Sequence, residues 1–182
     1  MSRFLSSLMV VVSLLGAALC SHDLPVLNEV CEARWTGYGA LICLLVSQSC
    51  SPLARFGMIA SGTRSKARRQ FGIAAALLAT LHFIVVWKGF LQVEPWSAVE
   101  ESPWLQAGSG ALLLLLLLWL TSYPRLLRVL GIRNWQALHR FAYVATFFAL
   151  VHAAMSPWVV MSYAFGLWAL WLVLLIARIK LT

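Results

Sequence analysis

Charged side chains are scarce in this chain of 182 residues: they make up 11% of it, and only six of them are acidic. A soluble globular domain is about 25% charged and about half apolar. This chain is 62% hydrophobic. The composition therefore excludes an ordinary soluble domain and indicates an integral membrane protein.

Apolar segments of near-spanning length run through the whole sequence. A spanning helix needs about 20 mostly apolar residues. Six candidate segments can be drawn, with approximate bounds Phe4–Cys20, Gly37–Leu53, Phe71–Leu91, Leu105–Thr121, Leu138–Met155 and Val159–Ala177. We therefore predict an all-α integral membrane bundle of six transmembrane helices, forming a single domain over residues 1–182 with its core at about 35–177.

The first and fourth segments have features of their own. The first has a basic start and small residues near its end, so a signal anchor and a cleaved signal peptide both remain open for it. The fourth contains seven consecutive leucines, Leu112–Leu118. We expect this run to face lipid and to carry no chemistry.

Charges of opposite sign lie on alternate sides of the apolar segments. All six acids fall in one set of connections, and all but two of the 14 basic residues, Arg34 and Lys88, fall in the other set or at the termini. Basic loops mark the cytoplasmic side of a membrane protein. We therefore expect both termini in the cytoplasm, and membrane lipid rather than nucleic acid around the positive charge.

Three histidines, His82, His139 and His152, lie in or beside apolar segments. Ionisable side chains at membrane depth are rare and mark candidate functional sites. His82 follows Arg69, and His152 follows His139, by 13 residues, so both imidazoles lie about 20 Å from the inner side. Two neutral imidazoles from facing helices can hold a haem iron. The spacing favours a haem site at His82 and His152, with buried hydrogen-bonded histidines as the alternative.

His139 lies nearer the cytoplasm, and the position opposite it on the third segment is at or near Arg69. Arginine stays protonated and is not a normal iron ligand. Four roles therefore remain open for His139: ligand of a second haem, contact to a haem propionate, contact to an electron donor, or a structural role.

Three stretches form a specific pattern: WTGYGAL at Trp35–Leu41, RRQFGIAAALLATLHF at Arg68–Phe83 and LTSYPRLLRVLGIRNWQALHRFAYVATFFALVH at Leu120–His152. Together they resemble the ferric reductase-like transmembrane domain. Within that family they are most similar to the haem-binding membrane subunit of the periplasmic methionine sulfoxide reductase system, the MsrQ or YedZ type. The similarity runs from about Trp35 to Ala177.

This resemblance implies a b-type cytochrome in a bacterial inner membrane. Family members pass electrons to a periplasmic molybdopterin-containing reductase that repairs methionine sulfoxide, and they receive them from a quinol or a cytoplasmic flavin reductase. His82 and His152 match the haem-ligand positions, and His139 matches the histidine of the LHR motif. Some members are associated with flavin mononucleotide (FMN), for which this sequence shows no motif.

We expect no flavin or nicotinamide domain after Thr182, and therefore an external electron source and an electron-transfer subunit rather than a complete enzyme. Two other functions remain open. A reductase of ferric or other metal chelates acting alone at the outer face would use the same haem. A non-redox subunit or small transporter would use the histidines for protons and hold no haem.

Four cysteines complete the sequence pattern. Cys20 and Cys31 are both expected near the outer side, where disulfides persist, and a bridge between them remains open. Cys43 and Cys50 lie on one face of the second segment. Buried free cysteine behaves as a small hydrophobe, so we expect no metal or redox role for this pair.

Overall fold

The computed structural model describes residues 25–58, 60–90, 95–156 and 161–179. Every element in these residues is helical: α1 (Pro25–Arg55), α2 (Ser61–Phe90), α3 (Pro95–Glu101), α4 (Pro103–Leu120), α5 (Pro124–Leu138), α6 (Phe141–Met155) and α7 (Met161–Ile179). The prediction of an all-helical chain is thus confirmed for the described ranges. The first apolar segment, Phe4–Cys20, lies outside them.

Three helical stretches are long and apolar enough to cross a membrane: Cys31–Arg55 in α1, Thr63–Gly89 in α2, and Pro103–Leu120, which is all of α4. Helices α5 and α6 form a fourth candidate if they are taken as one span bent by 48°. The apolar stretch of α7, Phe165–Ala177, is shorter. The protein is therefore a multi-pass membrane protein with three or four clear spans in its described part, and six spans stay a prediction.

Large apolar side chains on the outside of the bundle agree with a lipid surrounding. Leu113, Phe165 and Val173 are each more than 60% exposed, and such a surface is unfavourable in water. Only part of the leucine run is exposed on the outside of the bundle, because Leu115 and Leu118 are buried. The expectation that the whole run faces lipid was wrong, since the helical period turns one side of α4 toward the bundle.

Four helices form a ring. Helix α1 packs along α2 and α4 packs along α6, and contacts of α2 with α4 and of α1 with α6 close the ring. Helix α7 lies against α1 and α6, and α3 lies against α4. Ala74, Ala75 and Ala76 of α2 are almost completely buried. Small residues at such an interface let helix backbones approach closely, which explains how α1 and α2 pack side by side.

Two segments that the hydropathy pattern treated as connections between spans are helical. Helix α3 has seven residues, about two turns, and precedes α4. Helix α5 joins α4 to α6. No residue of α5 is buried, and Gly131 inside it has a φ of +71°, a conformation that glycine adopts readily. Arginines interrupt the apolar pattern of α5, so it was not recognised as a helix from hydropathy alone.

The cysteines separate into two groups. Cys31 is disulfide-bonded, and its candidate partner Cys20 lies outside the described residues. Cys43 and Cys50 are free thiols buried in α1. Cys43 packs in an apolar cluster with Ala40, Leu44 and residues of α2, as expected for a small hydrophobic side chain.

A buried amide joins three helices in the inner half of the bundle. Gln48 of α1 donates from Nε2 to Thr146 Oγ1 and, at 3.2 Å, to the Ala142 carbonyl, both on α6. Its Oε1 accepts a hydrogen bond of 3.2 Å from the Trp171 indole N–H of α7. In an apolar interior an unsatisfied polar group is costly, so this fully bonded amide fixes α7 against the ring.

Gln48→Leu should lower the stability of the bundle by about 1–2 kcal/mol, because it leaves the Trp171 N–H without its acceptor in an apolar environment. The midpoint of thermal unfolding in detergent measures the change. Ser49→Ala is the matched control, because Ser49 Oγ bonds only to the Val46 carbonyl of its own helix, at 2.8 Å. Equal midpoints for the two variants would show that the amide does not hold α7.

Candidate functional site

Two cavities lie inside the ring. The outer cavity, about 490 Å³, contains His82 and His152 on its walls, and the inner cavity, about 400 Å³, contains His139. Leu44 of α1 and Leu115 of α4 line both cavities. These two leucines therefore form a shared wall, and the three histidines are divided between two compartments.

His82 of α2 and His152 of α6 face each other in the outer cavity. Their ring centroids are 6.0 Å apart, with an angle of 74° between the ring planes. Two imidazole nitrogens that bind one metal ion from opposite sides are about 4 Å apart, since each metal–nitrogen bond is about 2.0 Å. Adding the distance from each nitrogen to its ring centre gives a centroid separation close to the one observed. The pair is thus spaced for bis-imidazole ligation.

Backbone carbonyls fix the orientation of both rings. His82 Nδ1 lies 2.8 Å from the Ala33 carbonyl of α1, and His152 Nδ1 lies 2.7 Å from the Trp104 carbonyl of α4. A carbonyl can only accept, so in each neutral ring Nδ1 carries the proton and Nε2 keeps its lone pair. A hydrogen bond of this kind from the second nitrogen is the usual support of a metal-bound histidine.

Glycines give the two imidazoles room to stand close to the neighbouring helices. A Cβ added at Gly37 would lie 3.2 Å from the His82 ring, and a Cβ added at Gly108 would lie 2.7 Å from His152 Nδ1. The contact of 2.7 Å would force the neighbour to shift, and the contact of 3.2 Å would require it to move by a few tenths of an ångström. These two positions therefore need glycine if the histidines are to keep their orientation.

Trp104 contributes to the site in a second way. Its indole stacks on the His152 ring, with a centroid separation of 5.4 Å and an interplanar angle of 29°. Trp104 and Gly108 were not identified from the sequence. The one available signal was their spacing of four residues, which places both on the same face of α4.

The inner cavity is basic. Among the described residues, its lining contains no acidic side chain and five arginines: Arg55, Arg64, Arg68, Arg69 and Arg140. The Nη2 of Arg69 donates to the Ser122 carbonyl at 2.8 Å. Its buried Nε has no hydrogen-bond partner among the described residues. The compartment is therefore suited to an anionic group.

His139 lies in this inner cavity, apart from the histidine pair. Its Nδ1 donates to the Trp135 carbonyl at 3.1 Å, and its ring stacks on the Trp135 indole with centroids 4.0 Å apart. Ser122 Oγ lies 3.4 Å from Nε2, but this hydroxyl donates its proton to the Leu118 carbonyl at 2.7 Å. Nε2 of His139 thus keeps a lone pair, while Arg69 stands on the wall of the same cavity.

Comparison with known proteins assigns this chain to a family. The sequence pattern of the family described as ferric reductase like transmembrane component matches residues 33–151, which include His82 and His139 and end one residue before His152. The chain belongs to this family. The resemblance noted from the sequence motifs is thereby confirmed.

Several curated relatives of this ferric reductase-like chain are named protein-methionine-sulfoxide reductase heme-binding subunit MsrQ. The protein from Deinococcus radiodurans is 37% identical over 128 residues, covering 69% of this chain and 62% of its own length. The protein from Bordetella pertussis is 34% identical over 122 residues, covering 65% of this chain and 58% of its own length. This chain thus aligns with about 60% of the length of these relatives.

Proposed function

We propose that this chain is a haem-binding redox subunit of a bacterial inner membrane, with one haem b held in the outer cavity by His82 and His152. The observation that carries the proposal is the pair of imidazoles 6.0 Å apart, each with Nδ1 fixed by a carbonyl of a different neighbouring helix. A buried structural histidine needs one such bond. A facing pair in which neither Nε2 has a hydrogen-bond partner among the described residues is the arrangement that an iron held by two histidines requires.

The outer cavity around His82 and His152 is large and apolar enough to hold the rest of the haem. Its volume of about 490 Å³ lies within the usual range of cofactor pockets, about 300–1,000 Å³. Most of its walls are alanine, leucine and aromatic side chains from four helices of the ring and from α3. A haem in this position would exchange one electron at a time, with both axial positions filled by protein. The protein residues hold the ligands in orientation, exclude water and set the polarity around the iron.

We propose further that electrons enter at the arginine-rich inner cavity and leave at the outer end of the bundle. A quinol or a cytoplasmic flavin reductase is the proposed donor, and a periplasmic molybdopterin-containing reductase acting on methionine sulfoxide is the proposed acceptor. The names of the relatives support this system. The basic loops support an inner side that faces the cytoplasm, with both termini there and six spans in all.

The visible spectrum of the detergent-solubilised full chain tests the proposal. After expression with ample haem, we expect the reduced-minus-oxidised difference bands of a low-spin b-type haem. Their absence would refute the haem site and favour a non-redox subunit. Reduction of a ferric chelate without any partner protein, together with no effect on growth with methionine sulfoxide, would instead favour a chelate reductase.

His139→Ala should leave the low-spin signal intact, because His139 lies in a different cavity from the ligand pair. The haem-to-protein ratio of the same sample then identifies its role. A ratio that falls by one haem shows that His139 holds a second haem, which would have a single histidine ligand. An unchanged ratio with slower reduction by the donor shows a donor contact. Loss of the low-spin signal would contradict the assignment of His152 and His82 as the ligand pair.

A further inference from the structure

The outer cavity has a charged end and an apolar end. Along α1 its wall runs from Arg34 through Tyr38 and Leu41 to Leu44, a length of about 15 Å at the rise of an α-helix. Arg34 is the only charged side chain on this wall among the described residues. Ser102 and Ser156 lie at the same outer end, at the start of α4 and the end of α6.

The position of Arg34 relative to the histidine pair is defined by its neighbours on α1. Ala33, next to it, supplies the carbonyl that orients His82, and Gly37, one turn further along, touches the His82 ring. Arg34 therefore lies within about one helical turn, 5.4 Å along the axis, of the level of His82. The inner end of the cavity, by contrast, is closed by Leu44 and Leu115.

Membrane topology does not account for an arginine at this position. It is one of only two basic residues on the acidic side of the apolar segments, which is the side that the positive-inside rule leaves poor in arginine and lysine. Arg34 forms no ion pair with a carboxylate in the described part of the chain. Arg34 is exposed at the outer mouth of the cavity, and a guanidinium there is suited to bidentate pairing with a carboxylate of a group bound in the cavity.

The asymmetry of haem matches that of the cavity, because the two propionates of haem lie on one edge and the rest of its rim is apolar. A carboxylate next to Leu44 and Leu115 would be buried without a partner, which is strongly unfavourable. We propose that Arg34 binds the haem propionates and thereby orients the haem with its propionate edge toward the outer end of the bundle. This inference rests on the haem site proposed above and assigns Arg34 as its positioning residue.

Redox titration of the full-length chain with Arg34→Gln, Arg34→Lys and Arg133→Gln tests the proposal. A positive charge beside the haem favours the added electron, so Arg34→Gln should lower the reduced-to-oxidised ratio at a fixed potential by about threefold to tenfold, where tenfold corresponds to 59 mV for a one-electron couple. Arg34→Lys should restore most of the difference. Arg133, exposed on α5 and on neither cavity wall, is the control and should not change the ratio.

Haem dimethyl ester, whose propionates carry no charge, separates propionate binding from a general effect of charge. After reconstitution of the haem-depleted full chain, Arg34→Gln should bind natural haem more weakly than wild type does and should bind the ester with the same affinity as wild type. The affinity comparison remains informative if Arg34→Gln retains too little natural haem for titration. A difference in affinity between the two chains that persists with the ester, or equal potentials and equal affinities with natural haem, would overturn the proposal. If wild type shows no haem at all, the proposed function itself fails.

Discussion

His82→Ala and His152→Ala should each abolish the low-spin haem spectrum of the solubilised chain. The two rings stand on different helices with centroids 6.0 Å apart, and alanine offers no group that can replace an axial nitrogen. A haem left with one ligand is five-coordinate and gives a different spectrum, so partial retention of haem would still be recognised. The measurement is the reduced-minus-oxidised difference spectrum together with the haem-to-protein ratio.

The two single variants also test whether the histidines act as a pair. If they are the two ligands of one iron, the double variant should lose no more low-spin signal than either single variant. His139→Ala is the matched control in the same membrane preparation. A complete low-spin signal in either His82→Ala or His152→Ala would refute the ligand assignment.

Gly108→Ala should remove most of the haem although it changes no ligand. The new Cβ would lie 2.7 Å from Nδ1 and 3.0 Å from Cε1 of His152. The imidazole is rigid and is held at 2.7 Å by the Trp104 carbonyl, so the ring must turn out of its orientation or α4 must move away from α6. Either change misaligns an axial ligand. The expected result is a haem-to-protein ratio several times lower than that of wild type.

Gly110→Ala is the control for this substitution. It lies on the same helix two residues later, and apart from the local backbone of α4 no atom of the described residues lies within 4 Å of the Cβ that it would gain. Alanine is favoured over glycine in a helix by about 1 kcal/mol, so Gly110→Ala should keep its haem and be at least as stable as wild type. Equal haem loss in both variants would show that α4 needs flexibility rather than space beside His152.

The depth of His82 and His152 in the membrane was the part of the site that could be predicted from the sequence. His82 and His152 were paired because each lies 13 residues from the inner end of its segment, and the constant helical rise turns that count into a position. The supports of the pair were not predictable in this way. Gly37, Gly108 and the carbonyls of Ala33 and Trp104 act through contacts between helices that are distant in sequence, and hydropathy carries no information on which helices are neighbours.

The limits of hydropathy also explain the differences in the fold. The apolar cores of α1, α2 and α4 were recognised, but α1 begins at Pro25 and α2 at Ser61, well before their apolar stretches, because backbone hydrogen bonds continue through polar residues. Helix α5 was treated as a connection since it contains arginines and Gly131. Arg34 was noted only as an exception to the charge pattern, and its place on the cavity wall became visible only when α1 was positioned within the ring of helices.

The shared wall of Leu44 and Leu115 has a consequence for energy conversion. Neither side chain can carry a proton, so an electron that passes this wall on the proposed route moves without one, and the step separates charge across part of the membrane. Outward transfer of a negative charge is driven by a membrane potential that is negative inside, by about 2.3 kcal/mol per 100 mV for a full crossing. Two leucines would thus let the resting voltage of the cell help to supply reducing power to its outer side.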